Sequence, residues 1–508
     1  MTMPTVGVTE APAYPRVLLT ILAWQAQRVL PFYLSCIEAL DYPKKSITLY
    51  VRTNNSTDRT TDMLRRWVAR SRDQYERVEF DASDISESVE QFAVHEREAI
   101  RFKLLARLRQ ESMHRALQNA CDYYFIVDLN NFIKPNTLKA LIATGLPIVA
   151  PLLRCTGNHP LYSNFHEKID DHGYFLWSDE YSWLLEQRVR GLCQVPVVHF
   201  TYLVRSDVIS QLSYDDGSGR HEYVIFSESA RRSGISQYLD TRDVYGYITI
   251  EDDPSEAMTL VGPQIGTEVL VRRKSRKPRI FGCFGLHSSG STWMFNLARE
   301  ICRTQAVDFE SCHQESDANL PWHALGWQLI VVKSHSPELG FRSLIANSDE
   351  PAVITVREPR DAVASLMQRF ATSFAEALEA VITSAGSLVA LSRLRNLPIF
   401  RYESRFVGDA ETFDRIAALL RTNPSTDDRE AILAMLEPES VKKAIRGLEA
   451  AGTIQGEEIW DRTTQWHANH VGDGRVGKFA NVLTPEQQYE TLKQTREFCD
   501  CFGYDNDT

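Results

Sequence analysis

Short apolar runs rich in β-branched and aromatic residues alternate with helical stretches along this chain, and they do so twice. In the first half the runs are Arg16 to Trp24, SITLYVRTNN, YYFIVDLNN, GLPIVAPLL and VPVVHFTYLVR, with helical stretches at Leu30 to Leu40 and Thr57 to Arg70. In the second half RIFGCFG, QLIVVKSH, PAVITVREP and LPIFRYES are the strands, and helices are expected at Thr292 to Thr304 and Asp361 to Phe370. Strands that alternate with helices pair in parallel, so the pattern predicts an α/β chain whose sheets are wrapped by helices.

Between the two series, EDDPSEA, GPQIG and the basic run RRKSRKPR lack apolar periodicity. That composition predicts a surface linker with a solvated basic stretch. The expected organisation is an N-terminal domain over 14–253, a linker over 254–277 and a C-terminal domain over 278–505. A length of 508 residues is enough for two large cores.

A formal net charge of -11 argues against general nucleic-acid binding, because most of the surface repels phosphates. The nine cysteines are an odd number without regular spacing, which suits a reducing compartment better than a disulfide framework. Cys499 and Cys501 read as a packed helix end rather than a metal site. The first ten residues lack the pattern of a secretory leader, and apolar stretches such as VLLTILAW fall short of the roughly 20 residues that cross a bilayer. A cytoplasmic location without a transmembrane segment is expected, with peripheral membrane contact left open.

The strand Arg279 to Phe284 leads into GLHSSGST and then a helical WMFNLAREI. A strand, a turn rich in glycine and serine, and a helix together point main-chain N–H groups at an anion. Gly285 and Gly290 have the spacing of a nucleotide-triphosphate loop, but Ser291 stands where that loop requires lysine. Clamping of β- and γ-phosphates is therefore disfavoured, and with it a nucleotide kinase or nucleotide-binding regulator. Strand QLIVVKSH ends in Lys333 and His335, a cation and a base at an edge where open α/β sheets bind ligands. Arg357 ends strand AVITVREP, and Ser365 follows on the next helix; taken alone, Arg357 reads equally as a surface arginine paired with Glu358 or Asp361.

These segments, in this order, resemble the PAPS-dependent sulfotransferases. Ser289, Gly290, Ser291, Thr292 and Trp293 match that family's phosphosulfate loop, and Lys333 and His335 match its K-x-H, with His335 as base by resemblance. Arg357 and Ser365 match its 3′-phosphate clamp, and Tyr402 sits where the family often has a tyrosine near adenine. GRVGKFANVLTPEQ, from Gly474 to Gln487, looks like the loop that closes over the donor, with Arg475 as phosphate ligand. The chain departs from the pattern at Ser288, where a lysine or arginine is usual. The resemblance implies a P-loop-type α/β fold and sulfuryl transfer from PAPS to a hydroxyl.

In the N-terminal half YYFIVDLNN places Asp128 at a strand end and Asn130 two residues on. One carboxylate and one neutral amide oxygen would hold Mn²⁺ or Mg²⁺ only weakly, and read alone Asp128 is as readily a strand-end acid that opens a turn. This half resembles GT-A (Rossmann-like) glycosyltransferases of the collagen galactosyltransferase-like group, through VLLTILAWQAQRVLPFYLSCIEALDYPKKSITLYVRTNNSTDRTTDML and the later GLPIVAPLL, LYSNFHE, VPVVHFTYLVR and YGYI. The resemblance implies a UDP-linked sugar donor, Asp58 near its base or ribose, and Asp128 with Asn130 at the metal. Where the family has paired acids the chain has His221 and Glu222, so Glu222 is the candidate base. His199 reads as structural, and Asp243 replaces a family histidine. Trp24, Trp177, Trp183, Trp322 and Trp327 are candidates for stacking on sugars.

The combined expectation is a bifunctional transferase of bacterial cell-surface glycan assembly, acting on a glycan or glycoconjugate. The alternative retains the sulfotransferase alone, with the N-terminal half as a non-catalytic acceptor-binding module.

Overall fold

The computed structural model describes residues 14–85, 97–157, 159–250, 254–273, 277–322, 324, 328–454 and 460–504. The chain divides into two compact units, residues 1–275 and 276–508. Trp327 and the centre of the basic run, 274–276, lie outside the described residues.

Among the described residues, the main sheet of the first unit has eight strands, beside three smaller sheets. The eight are β1 (Val17–Ala23), β2 (Ile47–Thr53), β3 (Arg77–Asp81), β4 (Tyr123–Val127), β5 (Ile148–Pro151), β6 (Leu192–Val195), β7 (Thr201–Arg205) and β8 (Gln237–Asp240). Their spatial order is β6-β8-β5-β7-β4-β1-β2-β3. The strands β4, β1, β2 and β3 run parallel, while β7 is antiparallel to both β4 and β5. Both faces of β1 and β2 are covered, which is why they read as unbroken apolar runs rather than as alternation. Helix α1 (Leu30–Ala39) is buried along its whole length. A long helix absent from the sequence expectation, α2 (Arg97–Gln118), packs against β1 and β4, and α3 (Glu222–Arg232) packs against α2.

The expected linker is corrected by the structure. Residues 254–272 form a helix, α4 (Pro254–Arg272), which packs on α1 within the first unit. Val261, Ile265 and Val269 recur every fourth residue and are buried. Pro263 and the glycines beside it disguised that stripe, and burial against α1 outweighs their cost. Arg273 is buried and pairs with Glu38, which also accepts a 2.7 Å hydrogen bond from the Trp67 indole.

The second unit holds five parallel strands: β9 (Ile280–Gly285), β10 (Phe309–His313), β11 (Leu329–Ser334), β12 (Ala352–Val356) and β13 (Ile399–Arg401). Their order is β10-β11-β9-β12-β13. The chain leaves β9 toward β10 on one side and reaches β12 on the other, so the crevice for a ligand opens at the C-terminal end of β9. The register aligns Phe284 with Ser334, Gly285 with Thr355 and Val356 with Arg401. Residues that follow β9, β11, β12 and β13 therefore share one edge. Helix α5 (Ser291–Thr304) follows β9 and buries Trp293, Met294, Leu297 and Ile301. Helix α6 (Pro359–Phe370) follows β12; its proline sits in the first turn, where a missing N–H costs nothing, and the Glu358 side chain caps it.

One helix among the described residues, Phe374–Leu394, is long and apolar enough to cross a membrane, longer than the sequence reading allowed. It opens with a capping box at Ser373 and Glu376, and 44% of its apolar window is buried against the protein.

Candidate active site

The shared edge of the second unit opens into a cavity of about 910 Å³. Gly285 ends β9 where a side chain is impossible, because a Cβ there would lie 2.1 Å from Thr355 Oγ1. The loop then turns through Ser288 at φ +60° and Gly290 at φ +86° before α5 begins. The left-handed turn at Gly290 aims the first N–H groups of α5 outward. Ser288, Gly290, Ser291, Thr292 and Trp293 line the cavity. Ser289 does not. Its hydroxyl is turned inward between the Leu286 carbonyl (2.6 Å) and Thr355 Oγ1 (2.7 Å), so it shapes the loop rather than contacting a ligand.

His335 and Lys333 both line the cavity. The imidazole Nδ1 lies 2.6 Å from the Gly285 carbonyl oxygen, and its Nε2 lies 3.0 Å from Lys333 Nζ. A carbonyl only accepts, so Nδ1 carries the proton and Nε2 keeps its lone pair. Burial, with Lys333 and His287 beside it, holds the His335 imidazole well below its usual value, which leaves it neutral at pH 7. Burial likewise lowers the Lys333 ammonium to about 8. Glu315 fixes the segment, accepting from the main-chain N–H of His335 (3.0 Å) and Ser336 (2.6 Å) and from the Ser334 hydroxyl. Burial acts against the Glu315 carboxylate, yet these donors and His313 pull it down to about 2.

Arg357 is buried, so the alternative of a surface arginine is corrected. Its Nη1 donates to the Ser288 carbonyl at 3.1 Å and its Nη2 to the Arg475 carbonyl at 2.6 Å, and the guanidinium lies 4.4 Å from the centre of the Tyr402 ring. Its Nε is buried without a hydrogen-bond partner among the described residues. Ser365 lies on the same cavity wall, as do Tyr402 and Gly474. The late loop is tied down by Asp361, which accepts from the N–H of Gly477 (2.7 Å) and Phe479 (3.0 Å). Arg475, expected as its phosphate ligand, is exposed and is not among the residues that line the cavity; Lys478 is.

The first unit brings Asp128 and Glu222 together in a different way from that expected. Arg109, on α2, donates from Nη2 to both Asp128 oxygens at 2.9 and 2.7 Å, and its Nε lies 3.5 Å from Glu222. Arg109 and Glu222 are both buried. Burial raises the Asp128 carboxyl, and Arg109 opposes that shift. The guanidinium thus occupies the place between acids where a cation would sit. Asn130 is exposed, and no group of three potential ligands for a metal occurs among the described residues. The Asp128 and Asn130 pair therefore does not fit a divalent ion, and Glu222 is an ion-paired acid rather than a free base.

Residues 14–264 match the model of glycosyltransferase family 25, N-terminal domain. The first unit carries a family 25 domain. Procollagen galactosyltransferase 2 of Homo sapiens is 32% identical over 278 residues, covering 52% of this chain and 44% of its own length. Inactive glycosyltransferase 25 family member 3 of Homo sapiens is 30% identical over 347 residues, 64% of this chain and 56% of its own. The chain spans about half the length of the curated relatives it matches. Among solved structures, a mouse sulfotransferase complexed with PAP is similar at 12% identity and TM-score 0.33, over 44% of this chain and 87% of that one. S. aureus TarS is similar at 14% identity and TM-score 0.32, over 51% of this chain and 72% of that one.

Elsewhere in the family 25 domain Asp58 is consumed by the fold. Its carboxylate accepts from the N–H of Gln27 (3.0 Å) and Thr60 (2.9 Å), tying two loops together. His199 is buried with neither ring nitrogen hydrogen-bonded among the described residues, and burial keeps it neutral. The His221 ring lies tilted against Phe102, with centroids 3.8 Å apart, and Asp243 pairs with Lys134 at 3.3 Å. Trp24, Trp177 and Trp183 are exposed, whereas Trp322 of the second unit is buried and cannot stack on a ligand from solvent. All nine cysteines are free, and Cys499 packs inside a helix end.

Sequence reasoning missed three groups. Arg109 was legible as a lone cation on the apolar stripe of α2, in step with Ala106, Met113 and Ala116. Arg369 sits four residues after Ser365, on the same face of α6. Trp460 and Trp466, which also line the cavity, carry no local signal at all.

Proposed function

We propose that the second unit transfers a sulfuryl group from PAPS to a hydroxyl of a glycan or glycoconjugate. The observation that carries this reading is the meeting of the loop amides, the neutral His335 and the Arg357–Ser365 pair on one cavity of about 910 Å³. Arg357, with one nitrogen unpartnered, and Ser365 grip the 3′-phosphate, while the start of α5 faces the phosphosulfate. Lys333 leaves His335 Nε2 for the bridging oxygen, and the acceptor hydroxyl gives its proton to the freed Nε2 as its oxygen bonds to sulfur. The bond from sulfur to the bridging oxygen breaks, and the electron pair leaves on the 5′-phosphate of adenosine 3′,5′-bisphosphate. Lys333, one hydrogen bond from His335, balances the charge that develops there.

For the family 25 domain the proposal is transfer from a UDP-linked sugar, supported by relatives named galactosyltransferases. Fusion would then raise the local concentration of one product at the other site. A second reading makes this domain an acceptor-binding module without transfer. The Arg109 bridge between Asp128 and Glu222 favours it, as does an inactive relative at 30% identity. We place the reactions in the cytoplasm, where activated donors are made.

Incubation with ³⁵S-labelled PAPS and, separately, tritiated UDP-sugars, each with a glycan panel, tests both units. ³⁵S in a glycan product is expected. No transfer of ³⁵S to any acceptor would remove the first proposal, and tritium transfer would remove the second reading.

A further inference from the structure

Between Gly285 and Thr292 the phosphate loop has no lysine or arginine, only amides, hydroxyls and His287, whose imidazole is lowered by burial to about 4. A polyanionic group seated there has to find its counter-charge elsewhere. Lys333 lies against His335 at 3.0 Å, and most of the other cations on the cavity wall are committed. Lys442 pairs with Glu439 at 2.7 Å and Lys478 with Asp473 at 3.3 Å, while Arg357 spends its terminal nitrogens on two carbonyls and lies 3.5 Å from Asp361.

Arg369 differs. It lines the cavity one turn beyond Ser365 and approaches the loop directly, with Nη1 3.3 Å from Ser288 Oγ. Its Nη2 lies 3.3 Å from His467 Nε2, and its Nε donates to the Asn469 carbonyl at 2.9 Å. Three of its five N–H donors are thereby placed, which leaves one on each terminal nitrogen. No described carboxylate forms an ion pair with it. Ser288 is in turn held from two sides, its carbonyl by Arg357 and its hydroxyl by Arg369, which fixes a left-handed turn that serine rarely adopts.

We infer that Arg369 is the cation that grips the 5′-phosphosulfate of the donor, supplying from α6 the charge that the loop lacks at Ser288. The inference rests on the PAPS reading above. As the bond from sulfur to the bridging oxygen breaks, negative charge moves onto the 5′-phosphate, and the two remaining N–H groups of Arg369 are fork-shaped donors suited to it.

The test measures binding of adenosine 3′,5′-bisphosphate and of adenosine 3′-monophosphate to the full chain by calorimetry. In Arg369→Gln the bisphosphate should bind about ten- to a hundredfold more weakly, the worth of a charge-assisted hydrogen bond. The 3′-monophosphate, which has nothing for Arg369 to hold, should change by less than about twofold, the scatter expected of a contact that is not made. Adding Ser288→Lys to Arg369→Gln should restore most of the bisphosphate affinity, since it returns a cation to the loop. Arg369→Lys gives an intermediate loss and serves if Arg369→Gln melts early. Equal losses for both ligands, or none for the bisphosphate, would overturn the role of Arg369 and leave the PAPS reading standing. If the unmodified chain binds neither ligand, the PAPS reading falls, and this inference falls with it.

Discussion

The imidazole Nδ1 of His335 and the main-chain oxygen of Gly285 are 2.6 Å apart, so the end of one strand fixes the tautomer of the residue that follows its neighbour. The two meet because β9 and β11 run parallel in a register that brings Phe284 beside Ser334. Nε2 is thereby left as an acceptor at the cavity. His335→Ala should abolish sulfuryl transfer, a loss of at least about a hundredfold for a general base. Affinity for adenosine 3′,5′-bisphosphate should stay within about twofold, as expected where no donor contact is removed. Single-turnover transfer together with calorimetric binding checks this; retained turnover removes His335 from the chemistry.

The pH profile follows from the two shifted groups. His335 is held well below its usual value, so the base remains neutral as pH falls through 6.5, and kcat/KM should stay flat there. Lys333 titrates at about 8, so its charge, and the rate it supports, should decline as pH rises through that value. Lys333→Arg keeps the charge and should abolish the alkaline decline. A profile of kcat/KM that instead falls at the ordinary histidine value would contradict the geometry.

Arg109 neutralises two acids at once, and its removal leaves the buried Glu222 and the partly buried Asp128 without a counter-charge. Arg109→Met should destabilise the first unit by about 3 to 5 kcal/mol, as when one partner of a buried pair is removed. Adding Asp128→Asn and Glu222→Gln should recover most of that loss, because the stranded charges go with it. Calorimetric unfolding of the three-fold variant against Arg109→Met reads the difference directly.

The same bridge predicts how the family 25 domain responds to metal. Saturable binding of Mn²⁺, followed by electron spin resonance, is not expected at Asp128, and chelation should leave UDP-sugar affinity unchanged. Tight Mn²⁺ binding that Asp128→Asn abolishes would show that Arg109 yields its place.

The central strands of both units were legible because strands buried on both faces read as unbroken apolar runs, as β1 and β9 do, whereas the half-buried β3 and β10 and the strands β6 and β8 were missed. The three C-terminal motifs were legible for a related reason. Each lies at a strand end, where local spacing alone places a loop, a cation or a base. Helix α4 was not, because Pro263 and neighbouring glycines argue locally for a break, and only the packing of Val261, Ile265 and Val269 on α1 holds it together. The placing of Arg475 outside the cavity lining was not legible, because one loop offers several cations and which of them faces the cavity depends on how Asp361 pins that loop.

Sequence by itself determined the central strands of both sheets, the glycines that shape the loop after β9, and the residue types gathered at its edge. Tertiary structure decided which charges meet. It drew Arg109 from a distant helix between two acids, and it brought Arg369 to Ser288. The reason is physical. Strand and turn preferences act over a few residues, whereas the pairing of a buried charge is settled by whichever group the packed chain brings within a few ångströms of it.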